Sequence, residues 1–142
     1  MRTGRWYAAS AAAALALAAC SGGGQTPVYD LGQVEDALRR AGLAICATST
    51  PSRLIEITEG EWLLEVGRSC ADGDTAVVDV IAWPDEAARD HALRRFESQS
   101  RPVARNHGTT WALGLFTVHV SGERDDDAVE RVAQAMRRLG AS

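Results

Sequence analysis

A chain of 142 residues is long enough for one domain and too short for two comfortable ones, and 46% hydrophobic with 24% charged residues is an ordinary globular balance that argues against wholesale disorder. Fifteen basic against nineteen acidic side chains leave a formal net charge of −4, which gives no support to a nucleic-acid partner, since that role usually needs a strongly basic face. Every basic residue is Arg, so chemistry through a lysine amine, such as a Schiff base, is excluded.

The first element in chain order is not part of a fold. Arg2 and Arg5 supply positive charge, and Trp6 through Ala19 is almost wholly apolar, interrupted only by Ser10. That run is short for a membrane span, which needs about 20 apolar residues, and suits the hydrophobic region of a signal peptide. It ends in Leu17-Ala18-Ala19-Cys20, which resembles the lipobox of bacterial lipoprotein precursors. The resemblance covers about the first 20 residues of the chain. It implies cleavage before Cys20, diacylglyceryl and further acyl chains such as palmitate on that residue, and an extracytoplasmic protein held on the cell membrane. Two or three acyl chains anchor stably where one binds only marginally. Residues 1–19 are therefore expected to be signal peptide, and 20–28 a lipidated Cys and flexible tether of Ser-Gly-Gly-Gly composition. Residues 29–142 are expected to form one domain.

With Cys20 assigned to lipid, Cys46 and Cys70 remain as an even pair, 24 positions apart, in a compartment that permits disulfides. A redox pair favours Cys-x-x-Cys spacing, and a thiolate metal site wants further Cys or His close by. Neither pattern is present, so a structural disulfide is expected.

The domain opens with a helix capped by Asp30, with Gln33 three residues on, an apolar face of Val34, Ala37, Leu38 and Ala41, and a stop at Gly42. Strand-like runs follow at Leu43–Ser49, Leu54–Thr58, Trp62–Arg68 and Thr75–Trp83, the last two separated by a turn containing Asp72-Gly73. Pro84-Asp85-Glu86 begins a second helix with Ala88, Ala92, Leu93 and Phe96 on its apolar side. Thr109–Leu113 and Phe116–Ser121 read as a hairpin around Gly114. Val129, Val132, Ala133, Met136 and Leu139 mark a third helix that ends at Gly140. This order predicts an α+β fold: a two-layer sandwich of a mainly antiparallel sheet with three helices on one face, for which a ferredoxin-like arrangement with an added N-terminal helix is one solution.

Candidate chemistry is sparse. Ala-Leu-Arg-Arg at 37–40 and 92–95 and Ala-Met-Arg-Arg at 135–138 suggest either a basic patch for anionic head groups or simple complementation of helix dipoles. Glu123 and Asp125-Asp126-Asp127 lack the ligand spacing of a calcium loop and suit a helix N-terminus. His91, His107 and His119 have no metal-ligand spacing; a catalytic dyad of His107 or His119 with Asp79 can be drawn, without a supporting motif. Trp62, Trp83 and Trp111 suit a sheet core, with a sugar- or peptide-binding groove as the alternative. The hydrophilic stretch Gln99–Gly108, with Arg101, Arg105, Asn106 and His107, is the candidate binding loop. No metal site or cofactor is indicated. The expected function is non-catalytic binding of an envelope protein or envelope component by a lipid-anchored domain. The competing readings are a small envelope hydrolase using a His/acid pair and a small-ligand-binding lipoprotein.

Overall fold

In the computed structural model, residues 26–51, 58–100, 109–121 and 126–141 are described. The chain runs α1 (Leu31–Arg40), β1 (Ala44–Ser49), β2 (Gly60–Gly67), β3 (Ala76–Ala82), α2 (Glu86–Ser100), β4 (Thr109–Leu113), β5 (Phe116–Ser121) and α3 (Asp126–Leu139). The expected strand at Leu54–Thr58 lies, apart from Thr58, outside the described residues.

Local chemistry explains the ends of these elements. Asp30 caps α1 through a full capping box: its carboxylate accepts from the Gln33 N–H, and the Gln33 side chain accepts from the Asp30 N–H. Gly42 and Gly140, just beyond α1 and α3, take positive φ values of 83° and 89°, which carry the chain out of each helix without a Cβ penalty.

The five strands form one open sheet in the order β1-β2-β3-β5-β4, and every neighbouring pair is antiparallel. The α+β class and the antiparallel sheet are as the sequence predicts. Two finer points are corrected. The element order α-βββ-α-ββ-α is not ferredoxin-like, because β1, β2 and β3 follow one another as antiparallel neighbours and need no crossover helix. The single crossover runs from β3 through α2 to β4, with β5 inserted between the two strands.

The second correction concerns layers. On one face of the sheet, here the inner face, Leu64, Val66, Ala76, Val78, Val80, Leu113, Phe116, Val118 and Val120 pack against Val34, Ala37 and Leu38 of α1 and Val132, Ala135 and Met136 of α3. The outer face has its own small cluster, in which Ile81 and Trp83 meet Ala88, Ala92 and Phe96 of α2. Ile81 alternates with Val80 and Ala82 along β3, so α2 lies on the side opposite α1 and α3. Helices therefore cover both faces rather than one. The crossover has to climb over one face of the sheet to reach the far edge, and the face already filled by α1 and α3 has no room for it.

Cys46 and Cys70 are joined by a disulfide, with Cα atoms 5.3 Å apart. The β1–β2 register slips between Ile45 and Ala47, so Cys46 is the extra residue of a bulge. A bulge re-aims the side chain it inserts, and here it accompanies the turn of Cys46 toward the β2–β3 loop that carries Cys70.

Candidate functional site

The sheet register assembles a polar row on the outer face. Leu63 of β2 pairs with Asp79 of β3, Asp79 with His119 of β5, and His119 with Thr110 of β4. Directly opposed residues bring their Cβ atoms to about 4.5–5.5 Å, so Asp79, His119 and Thr110 form one continuous strip across three strands. Glu61, two residues from Leu63 on β2, faces the same side and interacts electrostatically with Asp79.

His119 is held from two directions. Its Nδ1 and the Thr110 hydroxyl share a 2.7 Å hydrogen bond, and the Phe96 ring of α2 stacks on the imidazole with centroids 6.2 Å apart and planes 22° from parallel. Burial lowers the His119 pKa below its ordinary value, favouring the neutral ring. Asp79 moves the other way: burial, and then the charge of Glu61, push its carboxyl up to about 6. One oxygen of each acid, Asp79 Oδ1 and Glu61 Oε2, is buried without a hydrogen-bond partner.

A nucleophile–base–acid relay needs the acid hydrogen-bonded to the base, so that the imidazole is oriented and its positive form stabilised. Among the described residues, Asp79 and His119 are neighbours in register with no ion pair between them. His119 is partnered by Thr110 and Phe96 instead. The strip therefore has the residue types of an acid–base site and lacks the contact that would couple them.

Compared with known proteins, the chain matches no family model, no curated protein and no solved structure.

The other singled-out residues disperse. Cys20, Arg101, Arg105, Asn106 and His107 lie outside the described residues, while Gln99 belongs to α2 rather than to a loop. His91 is exposed on α2. Trp83 is buried on the outer face, where its indole N–H donates to Thr117 Oγ1 at 3.0 Å. Trp62 and Trp111 are part-buried against the inner core, and Trp62 meets Phe116 edge-on with centroids 6.3 Å apart.

The Arg pairs of α1 and α3 do not gather into a patch, and Arg94-Arg95 stands midway along α2, outside its last turn. Tyr29, just before α1, donates its hydroxyl hydrogen to the carbonyl of Leu139 at the end of α3, while the carbonyl of Ala41 at the other end of α1 accepts from Arg131. The two helices are thus antiparallel, and Arg39-Arg40 and Arg137-Arg138 lie at opposite ends of their layer. Each pair occupies the last turn of its helix, where positive charge complements the dipole. Arg39 also pairs with Glu35 and Asp36, and Arg137 with Glu130. Of the acidic run, Asp127 stands in the first turn of α3 and accepts from Arg131 Nε at 2.8 Å. That hydrogen bond is the first cause holding the Asp127 carboxyl below its usual range. No group of three or more His, Cys, Asp or Glu among the described residues is arranged to hold a metal ion.

Sequence reasoning named Asp79 and His119 but missed Thr110, Glu61 and Phe96. Thr110 alternates with Trp111 along β4, and strand register alone would have exposed it as a neighbour of His119. Phe96 required knowing which face α2 covers.

Proposed function

We propose that the protein is a lipid-anchored extracytoplasmic lipoprotein whose single disulfide-stapled domain has a non-catalytic binding or interaction role at the cell envelope. The observation that carries this reading is the cysteine arithmetic. The Cys46–Cys70 bridge accounts for two of the three cysteines and leaves Cys20, within Leu17-Ala18-Ala19-Cys20, for the lipid. A disulfide also suits an oxidising compartment, where an exported lipoprotein would reside. Mass spectrometry of the mature protein from membranes tests it: an acylated N-terminal Cys20 is expected, and an unmodified Cys20 or an intact Met1 would sink the anchor. Crosslinking in native envelopes should then recover a partner whose yield depends on the folded domain.

A small envelope hydrolase is the second reading, favoured by the register that places Asp79 beside His119. Against it stands the missing hydrogen bond between them. His119→Gln separates the two: an enzyme would lose turnover on an ester or peptide panel, whereas an interaction module would keep its partner.

A further inference from the structure

The two edges of the sheet, β1 and β4, are finished differently. β1 is interrupted by the bulge at Cys46 and clipped by the disulfide to the β2–β3 loop, irregularities of the kind that keep an edge from pairing with another chain. β4 has neither device. It keeps an unbroken register with β5, and Thr109–Leu113 contains no charged residue and no proline.

The direction of the β4 peptide groups follows from the register. Trp83 N–H bonds Leu115 O, so the odd-numbered residues of β5 turn their peptide groups toward β3, and Phe116, Val118 and Val120 turn theirs toward β4. Their partners Leu113, Trp111 and Thr109 therefore bond β5, which leaves the N–H and C=O groups of Thr110 and Ala112 pointing away from the sheet. Among the described residues these outward groups have no hydrogen-bond partner.

We propose that β4 is a self-pairing edge, and that its partner is β4 of a second copy of this chain, laid antiparallel about a two-fold axis at Trp111. The register is self-complementary. Thr110 of one copy meets Ala112 of the other and exchanges both backbone hydrogen bonds with it, and Ala112 does the same with Thr110. Trp111 meets its own counterpart at the non-hydrogen-bonded position between them, where aromatic pairs are favourable, and it is only part-buried in the single chain. On the outer face the opposed side chains are Thr110 and Ala112, both small, and no charge on β4 opposes its own image. A shared edge of five residues is a small interface, so the pairing depends on protein concentration. It is independent of the Cys20 anchor, and its failure would leave that reading untouched.

The experiment uses the full chain solubilised in detergent, with amide hydrogen exchange followed by NMR over a wide range of concentration. The Thr110 and Ala112 amides should exchange at least about tenfold more slowly in the concentrated sample than in the dilute one, while Trp111, bonded to β5 in either state, stays protected throughout. Free exchange at Thr110 and Ala112 at every concentration would overturn the pairing. Benzoylphenylalanine placed at the exposed Thr109 position should give, on illumination of cells that make the full chain, a covalent dimer whose crosslinked peptide contains Leu113 of the other copy. Crosslinking only to a different protein would overturn the second copy as the occupant. Ala112→Pro withdraws one outward N–H from each copy and leaves the Trp111 and Leu113 bonds to β5 in place, since proline is tolerated on an edge strand. That variant should lose the covalent dimer severalfold. A dimer that persists while Trp111 remains protected would put the interface elsewhere and overturn the proposal.

Discussion

The two faces of the sheet are built on opposite principles, although they share the same strands. Along β2 and β3 the inner face reads Leu64, Val66, Val78, Val80, all fully buried under α1 and α3. The alternate positions on the outer face read Glu61, Leu63, Val77 and Asp79, all only part-buried, with Glu65 exposed and Ile81 buried where α2 covers it. The outer helix presents little more than Ala88, Ala92 and Phe96 to the β3–β5 side. Apolar contact on the inner face holds the domain together, since each large aliphatic side chain removed from water contributes roughly 1.5–3 kcal/mol. The outer face tolerates ionisable groups because its cover is partial, and the cost appears in the displaced titrations of Asp79 and His119.

The contrast is sharpest between adjacent residues. Leu64→Ala opens a cavity in the filled face and should cost about 2–5 kcal/mol by urea denaturation, whereas Leu63→Ala on the outer face should cost about 1 kcal/mol or less. Equal losses would mean that the outer face is covered as completely as the inner one. Next in size is the staple at the bulged edge strand. Replacing Cys46 and Cys70 together by Ser, or reducing the bridge, should remove roughly 3 kcal/mol and lower the urea midpoint.

The outer face should also show itself in pH dependence. Asp79 binds its proton more tightly in the folded state, with a pKa of about 6 against an ordinary 3.8. Its neutral form is thus favoured by folding, and its contribution is lost as pH rises from about 4 through 6. Asp79→Asn should therefore stabilise the protein above pH 6 by about 1–2 kcal/mol, a figure discounted for the solvent that still reaches this carboxyl. No gain should appear near pH 3. His119 has the opposite sense: its depressed pKa makes folding favour the neutral ring, so that contribution is present above pH 6.5 and is lost as pH falls below it. Thermal melts of the Asp79→Asn and His119→Gln variants across pH 3–8 measure the two slopes. The smallest effect belongs to the corner where Tyr29 meets the end of α3. Tyr29→Phe leaves the Leu139 carbonyl without its side-chain donor and should cost about 1 kcal/mol, leaving the sheet unaltered by circular dichroism.

The sequence by itself determined the three helices, the strands among the described residues and the staple. Asp30 with Gln33, the 3.6-residue stripe ending at Gly140, and Gly114 between two alternating runs are local signals, and local chemistry suffices to read them. An even pair of cysteines left after Cys20 was enough to expect the bridge between Cys46 and Cys70. Only the tertiary structure decided that α2 crosses the face opposite α1 and α3, because its weak apolar side of Ala88, Ala92 and Phe96 carries no label for either face. Only the register decided that Asp79, His119 and Thr110 share one row. Asp79 lies far from the other two in the chain, and a slip of one residue in a strand would have turned its member of the row to the other side of the sheet.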